Sequence, residues 1–522
     1  MRISRESVPR ARFLERRASR GEQRDLTVCR VLPNKVKVAS NRFSVVQTSR
    51  CLLGTRCRKL YDLGRSINAR SLAQFRSEKR RFSPWLAHKK LAQIRSDGIT
   101  IPRAHKFLSG LLRELDIEDV RVGDRDFSRC GALSPELLIA ILLFMAGDGN
   151  RRGYRHLLNT FWDQATDFEI DLPSTKPVTA ASFCTAREKV APEFLRSLVH
   201  AVWQKMLDDF PDASSFRGRQ VYAVDGCKIN VKRSPELDRE FGRPSGAYVP
   251  QVLMSALVNV CSRTPVDVAV RGHASCERSI LLEEHLQFLS PGDILVLDRG
   301  YPSYEMIRAL LDARVDFLVR TPVSSTFPAI AEFLATEAND AVVYLDLPGK
   351  ASCQAQRVKL RAIRTQGPDG PAVFLTSLAR GEWSWSTLTQ LYKLRWESEE
   401  LYKTLKSDYL DPRQFHSHKA QGVRQEICAT MLFLGISRYL MAAAAEVHDS
   451  PLHEISQKGA VLCFGQHLVR LFRADSDSAA HVVQLLLHRI ARSRDKRRPH
   501  RSAPRVSNKP RSKWTPTGRR GR

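Results

Sequence analysis

The chain has 522 residues, enough for two to four domains, and 43% of them are hydrophobic, so a sizeable core can be buried. The formal net charge is +29, and an excess of that size points to a polyanionic partner, most often nucleic acid. Part of it sits in the tails: seven of the first twenty residues are Arg, and residues 492–522 carry thirteen Lys or Arg against one Asp. The eleven cysteines are odd in number and contain no Cys-x-x-Cys pair, which argues against a disulfide scaffold and for free thiols in a reducing compartment. His273 and Cys276 have a zinc-like spacing, but no second pair answers them. The N-terminus is Arg-rich without an apolar segment, so no secretory signal is expected. The run 137–147 is too short to span a bilayer, and Arg438 interrupts 427–445, where a packed helix is expected instead.

Residues 1–100 are Arg- and Ser-rich with weak periodicity and read as a basic extension, either disordered or loosely helical. It is either a non-specific DNA-binding arm or an upstream extension of the reading frame. Residues 101–210 read as a helical, DNA-binding region. Ser134 caps and Pro135 opens a helix that Gly147 and Gly149 end, GYRHLLNTFW is a second, and two more follow with a break near Pro192. Thr179 or Ser182 would cap the first of that pair. It carries Arg187 and Lys189, and either enters a DNA groove or belongs to an ordinary helical bundle.

From 217 the period becomes alternating. RQVYAVDGCKINVKR reads as strand, Asp225-Gly226 turn, strand; 251–271 as two strands around a turn near Arg263–Pro265; 276–289 as a helix; 293–322 as strand, turn, helix, strand. Residues 217–322 thus give the first part of a mixed α/β domain, and 323–381 a β-rich insertion with strands in AVVYLDL, QRVKLRAIRT and PAVFLTSL. Residues 382–415 hold a charged helix that returns to the α/β domain, 416–492 are helical again, and 493–522 form a basic, disordered tail.

The stretch 392–406, YKLRWESEELYKTLK, reads as one amphipathic helix. Tyr392, Arg395, Glu399 and Lys406 fall within a sector of roughly 60° at 3.6 residues per turn. Leu394, Leu401 and Leu405 lie on the opposite side and would anchor it. One face thus aligns an aromatic hydroxyl, two cations and a carboxylate, a ladder suited to a phosphate backbone. By itself such a face is usually a solvated surface, and Glu399–Lys403 is an ordinary i, i+4 pair. Two further acids change the weighing. Asp225 ends the apolar strand VYAV and Asp298 ends ILVL, both at strand C-termini, where an α/β sheet usually places its ligands. Three acids drawn together repel unless a cation intervenes, and hard divalent ions with oxygen ligands remove that cost.

These residues resemble the DDE transposases of the insertion-sequence-four family, which have an RNase H-like catalytic domain. The match lies in Asp225 of YAVDG, Asp298 of VLDRGY, and the signature Tyr392, Arg395, Glu399, Lys406, over roughly 130–445. The resemblance implies that Asp225, Asp298 and Glu399 are catalytic and ligate two Mg²⁺ ions, for which Mn²⁺ can substitute. It implies that Tyr392, Arg395 and Lys406 hold the transposon-end backbone, with Arg299 either on phosphate or in a structural ion pair. Trp383 and Trp385 either pack in the core or stack on a flipped base, as an insertion-domain aromatic does in related enzymes. Cys227 and Lys228 depart from the small hydroxyl residue more often found after that Asp-Gly. The implied activity is metal-dependent cleavage at transposon ends followed by strand transfer. The implied partners are transposon-end and target DNA and a second copy of the chain, with no membrane. The implied location is the cytoplasm, at the nucleoid for a bacterial source. A catalytically inactive DNA-binding derivative and a structure-selective nuclease of the same fold stand as alternatives.

Overall fold

In a computed structural model, residues 98–111, 115–129, 131–148, 152–321, 327–349, 356–367, 370–404, 415–472 and 476–495 are described, and all lie within one compact unit, 82–522. The basic extension up to residue 97, the tail beyond 495 and Lys406 fall outside the described residues.

The N-terminal half is helical, as its 3.6-residue periodicity requires. Residues 98–111 are helical, followed by α1 (Pro135–Gly147), α2 (Tyr154–Asp167), α3 (Ala180–Glu188) and α4 (Phe194–Asp209). Ser134 accepts a hydrogen bond from the Leu137 N–H and Pro135 occupies the first turn, so an orphan donor is satisfied and no needed one is lost. Of the two candidate caps on α3, Thr179 is the one used, accepting from the Ser182 N–H. α1 is buried from Leu137 to Ala146, apolar on every side as a central helix must be.

The sheet begins with β1 (Ser215–Phe216) and β2 (Arg219–Asn230). Contrary to the turn expected at Asp225-Gly226, β2 runs unbroken through both residues, because nine consecutive pairs with β3 (Gln251–Asn259) hold it extended. Between these strands lies α5 (Pro235–Phe241). β4 (Thr264–Gly272) follows a turn at 260–263. The helix expected at 276–289 is only α-helical over α6 (Glu277–Ile280) and widens into a π turn at Leu281–His285 before a closing 3₁₀ turn. Next come β5 (Ile294–Leu297), α7 (Tyr304–Asp312) and β6 (Asp316–Thr321), as the sequence predicted.

The sheet order β4-β3-β2-β5-β6 has antiparallel pairs β4·β3 and β3·β2 and parallel pairs β2·β5 and β5·β6. It is the mixed arrangement that the RNase H-like reading requires. The inserted segment supplies α8 (Pro328–Ala335), β7 (Asp340–Leu347), β8 (Gln356–Gly367) and β9 (Gly370–Thr376). These strands extend the same sheet, since β9 pairs antiparallel with β6 and the order continues β6-β9-β8-β7.

The stretch expected as one helix is two. α9 (Trp385–Leu394) starts seven residues before Tyr392 and α10 (Trp396–Thr404) follows, with Arg395 at the joint between them. Ser384 supplies the cap of α9 by accepting from Thr387 N–H, which fixes its start upstream of the signature. The C-terminal helices are α11 (Ala420–Val447), α12 (Gln457–His467) and α13 (Ser476–Arg492). α11 is long and apolar enough to cross a membrane, but it is enclosed by α1, α4, α12, α13 and β4 as the central core helix. Its Arg438 is buried and donates to Gln457.

Two buried polar networks fasten the helices, the first to one another and the second to the sheet. Arg187 on α3 pairs with Glu426 on α11 at 3.1 Å and also bonds Gln425, Tyr154 and the Gly422 carbonyl. Arg187 is 3% exposed, so this side chain reaches no groove. The second network runs Ser255 Oγ to His285 Nε2 at 3.0 Å, His285 Nδ1 to Asp267 at 2.8 Å, and Arg196 to both Asp267 oxygens. A Ser–His–Asp chain invites a nucleophile reading, but all three side chains are 0% exposed, and no substrate carbonyl can reach the hydroxyl.

Candidate functional site: the carboxylates at the β2–β5 edge

The parallel register of β2 and β5 aligns two of the expected acids. Val221, Tyr222 and Ala223 pair with Ile294, Leu295 and Val296. Carried two residues further, the same offset sets Asp225 level with Asp298. Each is fixed from its own backbone: Asp225 Oδ1 accepts from Gly226 N–H at 2.9 Å, and Asp298 Oδ1 accepts from Gly300 N–H at 2.8 Å.

The third acid arrives on α10, which is pinned at both ends. Arg263, in the β3–β4 turn, pairs with Glu397 at 2.7 Å. One turn beyond Glu399, the Tyr402 hydroxyl donates to the Asp225 carbonyl at 2.5 Å and accepts from the Ala256 N–H at 2.9 Å. Asp225 and Ala256 are register partners, so the phenol bridges the two strands at the level of the acid. Leu401 and Ser398 are buried beneath the helix, as the apolar side of the predicted face requires.

Glu399 accepts from Arg395 at 2.5 Å. The Arg395 guanidinium also lies 5.6 Å from the Tyr392 ring centroid, and the Tyr392 ring packs on Phe374 at 4.5 Å. Burial works against the charge on Arg395, but Tyr392, Glu399 and Asp298 outweigh it and hold the guanidinium firmly protonated. Burial raises the Tyr392 phenol as well, against the pull of Arg395 and with a contribution from Asp298. Tyr392, Arg395, Asp225 and Asp298 therefore share one electrostatic neighbourhood. Arg299 is exposed beside Asp298.

A fourth acid was missed by the reading of the sequence. Glu277, at the start of α6, lays its carboxyl over Gly226: a Cβ added there would stand 2.2 Å from it. Tyr301, buried just after Asp298, donates its hydroxyl to Glu277 at 3.2 Å. Only the missing side chain at Gly226 admits this close approach, so the Gly after Asp225 was the available signal, and it read as a turn. Burial pushes the Asp225 carboxyl up to about 6; Gly226 N–H opposes this, Asp298 and Glu277 add to it, and Arg395 pulls it down. Burial likewise raises Glu277, with Tyr301 opposing and Asp298 adding.

Among the described residues, no group of three His, Cys, Asp or Glu side chains stands close enough to hold a metal ion. In kind, the oxygen donors suit a hard divalent cation: Asp298 and Glu277 both disfavour the charge on Asp225, and repulsion of that sort is what a cation relieves. Glu399 is instead engaged by Arg395. Of the two tryptophans, Trp383 is buried against Phe216, with centroids 6.3 Å apart, whereas Trp385 is 51% exposed.

Residues 216–435 match the family model described as "Transposase DDE domain". The span starts at β1, takes in all the acids above and ends inside α11. This part of the chain is thus similar to the domain that carries DNA transposition in DDE transposases, which are divalent-metal-dependent, DNA-acting enzymes. A solved piggyBac transposase synaptic complex with hairpin DNA aligns at 10% identity over 74% of this chain and 82% of that one, with a TM-score of 0.39. No curated protein sequence matches the chain.

Proposed function

We propose that this protein is a transposase of the insertion-sequence-four type, which hydrolyses the phosphodiester at each end of a mobile element and joins the freed 3′-hydroxyl to target DNA. The observation that carries the reading is the β2–β5 register, which sets Asp225 beside Asp298, with the Glu399 helix pinned to the Asp225 carbonyl through Tyr402. Asp225, Asp298 and Glu399 are the proposed catalytic acids and metal ligands, and Glu277 is the proposed fourth carboxylate of the site. Two bound Mg²⁺ or Mn²⁺ ions would neutralise charge on the scissile phosphate and on the attacking and leaving oxygens.

The chain's own residues do the rest. Asp225, midway along β2, and Asp298, just past the end of β5, are held on adjacent rigid strands. Tyr402 keeps α10 at a fixed height above them. Arg395, with Tyr392, Arg299 and Lys406, grips the backbone on either side of the reacting phosphate. A phosphate that takes up Arg395 releases Glu399 from its ion pair, so backbone engagement and completion of the acid set occur together. Both ends must be held at once, and a dimer in the DNA complex is part of the proposal, taken from the family resemblance.

The test is a Mg²⁺-dependent assay on duplex carrying the element ends found beside the coding frame. Wild type is expected to give both nicked and strand-transfer products. Glu399→Gln is expected to retain end binding and lose cleavage by more than about 10³-fold, a barrier increase of about 4 kcal/mol. Normal cleavage by Glu399→Gln overturns the ligand assignment. End binding without cleavage by wild type identifies an inactive derivative, and cleavage without joining identifies a nuclease.

A further inference from the structure

A cavity of about 380 Å³ lies where β1, the β3–β4 turn, the α9–α10 joint, α11 and the segment 452–455 meet. Its apolar lining includes Phe216, Leu394 and Leu452, and it reaches the exposed His453, where it meets solvent. The deepest charge on it is Arg438 of α11, only 4% exposed.

Arg438 is a buried cation whose hydrogen-bond partners carry no charge. Its Nη1 donates to the Met441 sulfur at 3.7 Å and its Nη2 to the Gln457 side-chain oxygen. Its Nε is buried with no acceptor among the described residues, and so is the Gln457 Nε2 beside it. Glu397 lines the same cavity, but Arg263 already holds it at 2.7 Å. Burial and the Arg263 charge draw the Arg438 guanidinium down to about 9, and Glu397 offsets only part of that. A charge taken out of water is costly unless an opposite charge shares the site. Here the cavity, an orphan donor and an uncompensated cation coincide, and an anion in the cavity would answer all three.

We propose that this cavity binds a small organic acid, with its carboxylate on Arg438 and its apolar body against Phe216, Leu394 and Leu452. One available cation matches one negative charge, whereas a phosphate dianion calls for more charged donors than this wall offers. The apolar walls call for a hydrocarbon body, and the volume falls within the range of about 300–1,000 Å³ usual for small-molecule pockets. Arg263 and Glu397 line the cavity and also pin α10, so an occupant sits against the helix that carries Glu399. The site is independent of the transposase reading, because its test reads binding and not DNA cleavage.

The test is isothermal titration of the full chain with 3-phenylpropionate, with its neutral amide 3-phenylpropanamide and with inorganic phosphate. The acid is expected to bind, and the amide and phosphate to bind at least about tenfold more weakly, the size of one charge-assisted hydrogen bond. Arg438→Met is expected to weaken binding of the acid by at least about the same factor. Leu452→Trp keeps Arg438 but fills the space for the apolar body, and it is expected to weaken binding as well, so the proposal stays testable if Arg438→Met does not fold. Amide hydrogen exchange at 260–263 and 452–455 is expected to slow when the acid is bound. The proposal falls if natively folded wild type does not bind the acid, if the amide binds as tightly, or if phosphate binds more tightly. It also falls if a folded Arg438→Met binds the acid as wild type does, or if exchange slows only in other segments.

Discussion

Tyr402 and Gly226 show how much of the site depends on atoms that carry no charge. The Tyr402 hydroxyl takes the Ala256 N–H and satisfies the Asp225 carbonyl, so Tyr402→Phe leaves a buried donor and acceptor unmatched. Such a loss costs about 1–3 kcal/mol. We expect a lower melting temperature and, because α10 loses its register over Asp225, a fall in cleavage larger than the fall in end binding. Gly226→Ala acts differently. The new methyl would collide with the Glu277 carboxyl, while the strand backbone tolerates Ala. Circular dichroism should remain native and divalent-ion affinity should drop; unchanged metal affinity would remove Glu277 from the site. Arg187 behaves as residues in buried ion pairs do. Arg187→Ala strands the Glu426 carboxylate, at a cost of about 3–5 kcal/mol, whereas Arg187→Met with Glu426→Leu is expected to recover most of it. Urea denaturation of the single and double variants checks this.

At the scale of elements, the two buried polar networks, one between helices and one between helix and sheet, make stability fall in acid. Burial alone would raise Asp267, but Arg196 and His285 outweigh it and hold the carboxyl at about 2. Burial would raise Glu426 too, and His416 and Arg187 bring it to about 2. Both folded values lie below the ordinary 3.8 and 4.5. Their contribution is therefore complete above the unfolded values and is lost as pH falls from about 5 towards about 2. Asp267→Asn should melt well below wild type near neutrality, and the gap should narrow below pH about 4 and close only as the buffer approaches pH about 2. A gap that stays constant with pH would show that the shift is not the source of the stability. The helix joint at Arg395 is the other element-scale feature. It places a cation between Asp298 and Glu399, a duty that an unbroken helix would have spread along a face.

For the whole molecule, the carboxylate edge should report a divalent ion directly as stability. An ion that binds only the folded state at about 100 times its dissociation constant adds about 2.7 kcal/mol. Mn²⁺ is expected to raise the melting temperature of wild type by a few degrees and that of Asp225→Asn by much less. An equal rise in both would place the ion elsewhere. The inserted strands β7, β8 and β9 enlarge the central sheet from its β6 edge, so the platform under the acids is one continuous layer with α11 at its back. Local damage to the insertion is therefore expected to lower global stability, not merely to detach a flap.

Much of this was legible in the residues. Alternation and helical periodicity are local properties, so β3, β4, β5, β6, the inserted strands, the capped start of α1 and the central helix α11 all followed from patterns a few residues long. Asp225, Asp298 and Glu399 stood out because two short apolar runs end in an Asp and the 392–406 signature that follows them in order carries the Glu. Tertiary structure decided the rest. Nine ladder pairs with β3 overrode an Asp-Gly turn signal and kept β2 straight. The Ser384 cap moved the start of the signature helix, which breaks at Arg395. Burial turned Arg187 from a candidate groove contact into half of an ion pair. Glu277 could be assigned only after Gly226 was seen beneath it, because closeness across 51 positions of sequence is a property of the folded chain and has no local code.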